Sequence, residues 1–256
     1  MTWPADFQPA APRAAILTTW DAYVDELFGD APAAGATLLA ATFPRAYVDV
    51  NRAEDDLDPD LLDRPWPAPI HPTAYTTRGM GLVRRLALPG VPMYDRPLSV
   101  AEVERRLSVC YRPYRLALAD RIEALARRFG AVWHLNVHSM KSRGNEMNVD
   151  AGEPRPDLVI SDRHGATADP AHTAWVAAWF RARGRTVQIN HPYQGGDLVK
   201  HFGAPGDGVH SIQIELNRAL YLDEVLVAKT VHFGEVREQC GEFLHAFAAR
   251  LSGAHP

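Results

Sequence analysis

Apolar positions in this chain follow two periods, one of strands and one of helices. A short apolar run over residues 131–137 reads as a buried strand, and it stops on the polar pair His138-Ser139. DLVIS at 157–161 is a second buried run, and the shorter TVQI at 186–189 ends on Asn190-His191-Pro192-Tyr193-Gln194-Gly195-Gly196. SIQIEL at 211–216 alternates, with Ile212, Ile214 and Leu216 on one face and Ser211, Gln213 and Glu215 on the other. Nearer the start, TLLAAT (37–42) and AYVDV (46–50) are expected as two strands around Phe43-Pro44-Arg45, the second leading into Asn51-Arg52. GMGLVRRLAL (79–88) is expected to hold one further short strand.

Helical spacing fills the intervals. Residues 21–28 carry Tyr23, Val24, Leu27 and Phe28 on one face. Ser99, with Glu102 three residues on, forms a capping box for the longest helical pattern, which runs to Phe129-Gly130 and which Pro113 should kink or divide. Asp169-Pro170 opens a helix through Trp175, Trp179 and Phe180 to Gly184, and a last helix is expected within 225–251. The first twenty residues read as loop because of Pro4, Pro9 and Pro12, and 53–97 is irregular and proline-rich. A loop of that length inside a compact domain is usually functional. Strands alternating with helices predict an α/β sheet protein, and residues 1–256 show no repeat or linker that would divide them into two domains.

Composition narrows the class. With 46% hydrophobic and 23% charged residues the chain is an ordinary globular sequence, and its net charge of -4 without a basic run excludes a nucleic-acid footprint. No apolar run approaches a membrane span. Cys110 and Cys240 lack metal-ligand or CxxC spacing, which points to a reduced, cytoplasmic compartment.

Candidate chemistry collects where strands end. In open α/β sheets ligands bind outside the carboxyl ends of strands, which singles out Asn51-Arg52, His138-Ser139, Asn190-His191, and Gln213 with Glu215. Each has a plain structural alternative: a hydrogen-bonded histidine, a surface ion pair at Arg52, a solvent-facing Glu215 on an edge strand. Glu215 is the most informative, because a carboxylate between Ile214 and Leu216 is costly to bury and, if buried, is suited to act as a general base. Arg52 suits bidentate carboxylate recognition. Ser139 lacks a GxSxG elbow, which argues against a serine hydrolase.

The segments RAYVDVNR (45–52), NVHSMKS (136–142), NHPYQGG (190–196) and HSIQIELNRALYLDE (210–224) together resemble the N-formylglutamate amidohydrolase family, in order and spacing from about residue 4 to residue 224. The resemblance implies a three-layer α/β/α fold with a mixed central sheet, akin to zinc carboxypeptidases and aspartoacylases. It also implies metal-dependent hydrolysis of the amide of a small N-acyl amino acid. On that resemblance His138 and Asp21 are metal ligands, the metal being zinc, with cobalt or manganese as alternatives. Glu215 activates water, Arg45 polarises the scissile carbonyl, and Asn51, Arg52 and Asn190 line the substrate site. Two departures stand out. Asn136 takes the place of the family's aspartate before His138. The family's opening strand and its Pro-His-Ser-Gly motif would end just before Met1-Thr2-Trp3-Pro4. Either Met1 is an internal methionine, which the otherwise intact site favours, or the site is impaired. In the second case the chain would be a non-catalytic binder of small carboxylate metabolites, because a catalytic zinc usually takes three protein ligands.

Overall fold

The alternating run at 211–216 lies in the interior of the sheet. The computed structural model describes residues 2–253, and Met1, on which the start of the chain turns, lies outside the described residues. In chain order the helices are α1 (Arg13–Leu17), α2 (Val24–Leu27), α3 (Ala74–Thr77), α4 (Val100–Arg106), α5 (Arg112–Phe129), α6 (Pro170–Arg181), α7 (Asp197–Phe202) and α8 (Phe233–Ser252). The strands are β1 (Leu86–Leu88), β2 (Val91–Pro92), β3 (Val132–Met140), β4 (Leu158–Ser161), β5 (Val187–Ile189), β6 (Val209–Asn217), β7 (Leu222–Asp223) and β8 (Ala228–Lys229). The main sheet runs β3-β6-β4-β5. β3 and β6 are parallel, as are β4 and β5, while β4 and β6 are antiparallel, so the sheet is mixed as expected.

Side chains of a strand alternate between faces. Ile212, Ile214 and Leu216 of β6 therefore enter one core with Val176 and Phe180 of α6 and Phe243 and Phe247 of α8. A smaller cluster, Leu118, Ile122, Val132 and Leu198, packs α5 and α7 with the first residues of β3. A third cluster joins Phe7, Ala15 and Ile16 to Tyr47, Leu57, Leu82 and Leu107. The proline-rich segment 53–97 is thus the covering of a core rather than a free loop.

Several expectations change. Residues 37–42 run as irregular backbone with Leu38 and Leu39 each 38% exposed, because no strand among the described residues offers them a ladder. They face the edge strand β3 across a cavity of about 220 Å³. Residues 46–50 form turns, although Ala46, Tyr47 and Val48 are buried. The helix expected at 21–28 is the single turn α2, and Asp21 precedes it. The loop-like opening contains the short α1, and the closing helix begins at Phe233 after the β7–β8 pairing, leaving Val225, Leu226 and Val231 exposed. Pro113 sits at the first turn of α5, and a π-helical stretch at Leu107–Tyr111 joins α4 to α5 in place of a break.

The capping box forms as expected: Ser99 Oγ accepts from Glu102 N at 3.2 Å and Glu102 Oε2 accepts from Ser99 N at 2.8 Å. Arg96 and the Ser99 amide lower the Glu102 carboxyl from 4.5 to about 2. Its contribution is therefore complete above the ordinary carboxylate pKa and is lost as pH falls from about 4.5 toward about 2. Ser99→Ala should cost about 1 kcal/mol in urea denaturation; an unchanged midpoint would show that the cap adds nothing.

Candidate active site

β3 and β6 place a column of polar side chains on the sheet face opposite α6 and α8. Their register pairs His134 with Ser211, Asn136 with Gln213 and His138 with Glu215. His138 and Ser139 lie within β3, which runs three residues beyond the expected end, so they belong to the sheet and not to a loop after it. All members of the second and third pairs are buried, and Glu215 is only 7% exposed, which removes the solvent-facing reading. Val132 with Leu118, Ile122 and Leu198 closes one end of the column. At the other end a cavity of about 120 Å³ opens, with Arg45, Asn51, Arg52 and Glu215 in its lining. Asp21 and His138 line the neighbouring 220 Å³ cavity, and Arg45 borders both. Six of the seven expected site residues thus line these two adjoining cavities, with Arg45 between them.

Charge is balanced tightly here. Asp21 Oδ2 lies 2.9 Å from His138 Nδ1 and accepts from Arg45 Nη1 at 3.1 Å, while Asp21 Oδ1 accepts from the Ser139 amide at 3.1 Å. Burial opposes the ionised form, but Arg45, His138 and Arg218 outweigh it and hold the Asp21 carboxyl far below the usual range. His138 responds in the opposite sense: burial lowers its pKa, and the Asp21 and Glu215 carboxylates raise it above the ordinary value. Glu215 is pushed up by burial, against the attraction of His138, Arg45 and Arg218. Arg45 is itself held by Asp49, which accepts from its Nε at 2.8 Å.

Beneath the charges lies a network of side-chain amides. Asn51 Nδ2 is 3.0 Å from His138 Nε2 and donates to Gln213 Oε1 at 3.3 Å, and Asn51 Oδ1 accepts from the Leu198 amide at 3.1 Å. Asn136 Oδ1 also stands 3.1 Å from His138 Nε2. With its proton on Nδ1, facing Asp21, the neutral ring accepts from Asn51; the protonated ring donates to Asn136 as well. Asn136 therefore orients the imidazole with a neutral dipole. Gln213 Oε1 accepts from Gly196 N at 2.8 Å, and Gln213 Nε2 donates to Glu215 Oε1 at 2.9 Å. Both ends of the Asn51 amide are thus engaged within the protein, although Asn51 still borders the smaller cavity beside Arg52. The Arg52 Nε donates to Met80 O at 3.0 Å, and its guanidinium stacks 3.8 Å over Tyr75.

Asn190 is the exception. Its Oδ1 accepts from the Asp162 amide at 3.0 Å and its Nδ2 donates to Asp162 Oδ1 at 2.8 Å, so the side chain is consumed in shaping the loop after β5 and does not line either cavity. Conversely, Arg84, Lys141, Arg155 and Arg218 line the smaller cavity and were not singled out from the sequence. Arg155 is paired with Asp150 through two bonds of 2.7 and 2.8 Å, and Arg218 reaches Ser139 Oγ at 3.0 Å. The available signal was the charged pair Arg84-Arg85 inside the apolar stretch from Leu82 to Leu88.

A divalent metal would find Asp21 and His138 adjacent, but they bond to one another and Asp21 is already shared with Arg45. Among the described residues no third His, Cys, Asp or Glu joins them. Two donors do not fit the three-ligand pattern of a catalytic zinc. No helix among them is long and apolar enough to cross a membrane.

Comparison with known proteins places the fold and the family. The family model described as N-formylglutamate amidohydrolase matches residues 1–222. An N-formylglutamate deformylase from Pseudomonas aeruginosa is 30% identical over 215 residues, covering 83% of this chain and 74% of that protein. The N-formylglutamate deformylase of Pseudomonas putida is 26% identical over the same shares. The crystal structure of an N-formylglutamate amidohydrolase from Ralstonia eutropha superposes with a TM-score of 0.94 at 39% identity, covering 98% of this chain and 90% of that one. A gene product from Agrobacterium tumefaciens, 22% identical with a TM-score of 0.59, shares the fold. The polar column, its cavity and these likenesses have one conclusion: the chain belongs to the N-formylglutamate amidohydrolase family, a family of amide-hydrolysing enzymes.

Proposed function

We propose that this protein is a cytoplasmic hydrolase that cleaves the amide of a small N-acyl amino acid such as N-formylglutamate, releasing formate and the free amino acid. The single observation that carries the reading is a buried Glu215 with a raised pKa sharing one cavity with Arg45 and Arg52, in a member of this family. Burial raises the Glu215 carboxyl pKa, which makes the carboxylate a stronger base. Glu215 takes a proton from water as the water oxygen bonds to the formyl carbon. The carbonyl electrons move onto oxygen, where the Arg45 guanidinium stabilises the charge. The tetrahedral centre collapses, the C–N bond breaks, and Glu215 returns the proton to the leaving nitrogen. Arg52 holds the α-carboxylate, and Asn51, with Asn136, orients His138.

The divalent metal implied by the family resemblance is to be measured separately, since Asp21 and His138 are the two donors it would meet and fall one short of the pattern of a catalytic zinc. Hydrolysis of a panel of N-formyl and N-acetyl amino acids should be followed with and without added zinc, cobalt or manganese. Turnover of at least one acidic N-formyl amino acid is expected. Binding of the panel without turnover under every condition would replace the hydrolase with a binder of small carboxylates.

A further inference from the structure

The smaller cavity holds more cation than its carboxylates balance. Arg155 is neutralised by Asp150, Arg45 by Asp49 and Asp21, and Arg218 lies 3.6 Å from Asp21. Arg84 takes part in none of these ion pairs. It is 9% exposed, its Nε is buried with no hydrogen-bond partner among the described residues, and it lines the cavity. Leu82 and Val83, both fully buried, and β1 just after it fix its backbone, so the side chain is presented by a packed segment. Lys141, one residue past the end of β3, lines the same cavity.

A buried guanidinium Nε left without an acceptor is costly, and the fork of donors on the group matches a carboxylate. A substrate such as N-formylglutamate carries two carboxylates, of which Arg52 accounts for one. We propose that Arg84, with Lys141 beside it, binds the side-chain carboxylate of the substrate and makes the enzyme selective for N-acyl derivatives of acidic amino acids over neutral ones. This rests on the hydrolase reading above for the identity of the ligand. The electrostatics agree with it. Burial and the adjacent Arg45 push Arg84 down to about 9, which leaves it charged at neutral pH. Burial, with Arg218, pushes Lys141 down to about 8; Glu224 opposes this and Arg84 and Arg155 add to it. Attraction to carboxylates, Asp49 for Arg84 and Glu224 for Lys141, offsets burial only in part.

The test compares L-glutamate with L-glutamine, products that cannot be turned over, by titration calorimetry on the full chain, alongside kcat/KM for their N-formyl derivatives. The wild type should prefer glutamate by about 10- to 100-fold, the range of one charge-assisted contact. Arg84→Met should bring that preference close to unity through the acidic ligand alone, with glutamine binding changed less than about threefold, and should melt no lower than wild type because an unpartnered buried charge is gone. Arg84→Lys should retain part of the preference. Equal affinity of the wild type for the two ligands, failure to bind glutamate, or an equal loss for both ligands in Arg84→Met accompanied by a lower melting temperature would overturn the assignment. Absence of hydrolysis with the glutamate preference intact would sink the hydrolase reading and leave this one standing.

Discussion

Glu215→Gln should lower turnover of N-formyl amino acids by about 100- to 10,000-fold, the usual contribution of a positioned general base, while the protein still folds. The two halves of this result have one cause. Glu215 is buried, and burial raises its pKa, so the folded state favours the protonated form more than the unfolded chain does. A group with a raised carboxyl pKa stabilises the fold at low pH and loses that contribution as pH rises through its folded value. Glutamine keeps the shape, is neutral at every pH, and still offers an oxygen to Gln213 Nε2, now 2.9 Å from Glu215 Oε1. The variant should therefore unfold at the same denaturant concentration as wild type, or slightly higher, at neutral pH. Near-wild-type kcat would remove Glu215 from the chemistry, and a collapse of the melting transition would make it a structural residue.

Gly196→Ala has the second largest expected effect, and it acts from below the cavity. Gly196 has φ -80°, which any residue can adopt, so backbone strain is not the reason for a glycine. The reason is close approach: a Cβ there would stand 2.5 Å from Asn51 Oδ1 and 2.6 Å from Asn51 Cγ. Asn51 cannot move aside freely, since its amide bonds the Leu198 amide and Gln213 and touches His138. The substitution should cost about 1–3 kcal/mol, as overpacking of a closed interior does, and should lower turnover by displacing His138. A double-mutant cycle checks the cause. Asn51→Ala combined with Gly196→Ala should be less destabilised than the sum of the two single changes, because the clash exists only when both side chains are present. Strict additivity would mean that Gly196 is needed for another reason.

That most of the expected site residues would lie near one another was legible in the sequence. Glu215 stood out as a carboxylate inside an alternating strand, and the segment order carried Asp21, Arg45, Asn51, Arg52 and His138 to one locality. Asn190 was read as a site residue because it follows a strand, yet Asp162, from the end of β4, takes both ends of its amide. Arg84 was passed over for the converse reason. It lies in a segment with no periodicity, and only packing against the core around Leu57 and Leu82 turns it toward the cavity.

The sequence by itself determined the periods, and with them the buried strands, the capped helix at Ser99 and the α/β class; the mixed sheet was implied only by the family that the four segments resemble. The periods and the cap are local, because each is set by the alternation or spacing of neighbouring side chains and by groups a few residues apart. Tertiary structure alone decided which strands exist and which polar groups are free. Residues 37–42 have strand composition but lack a ladder, since backbone pairing depends on a partner distant in the chain. Asn51 and Asn190 are chemically alike from end to end of their side chains. Contacts with His138, Gln213 and Leu198 place one in the site, and contacts with Asp162 hold the other outside it.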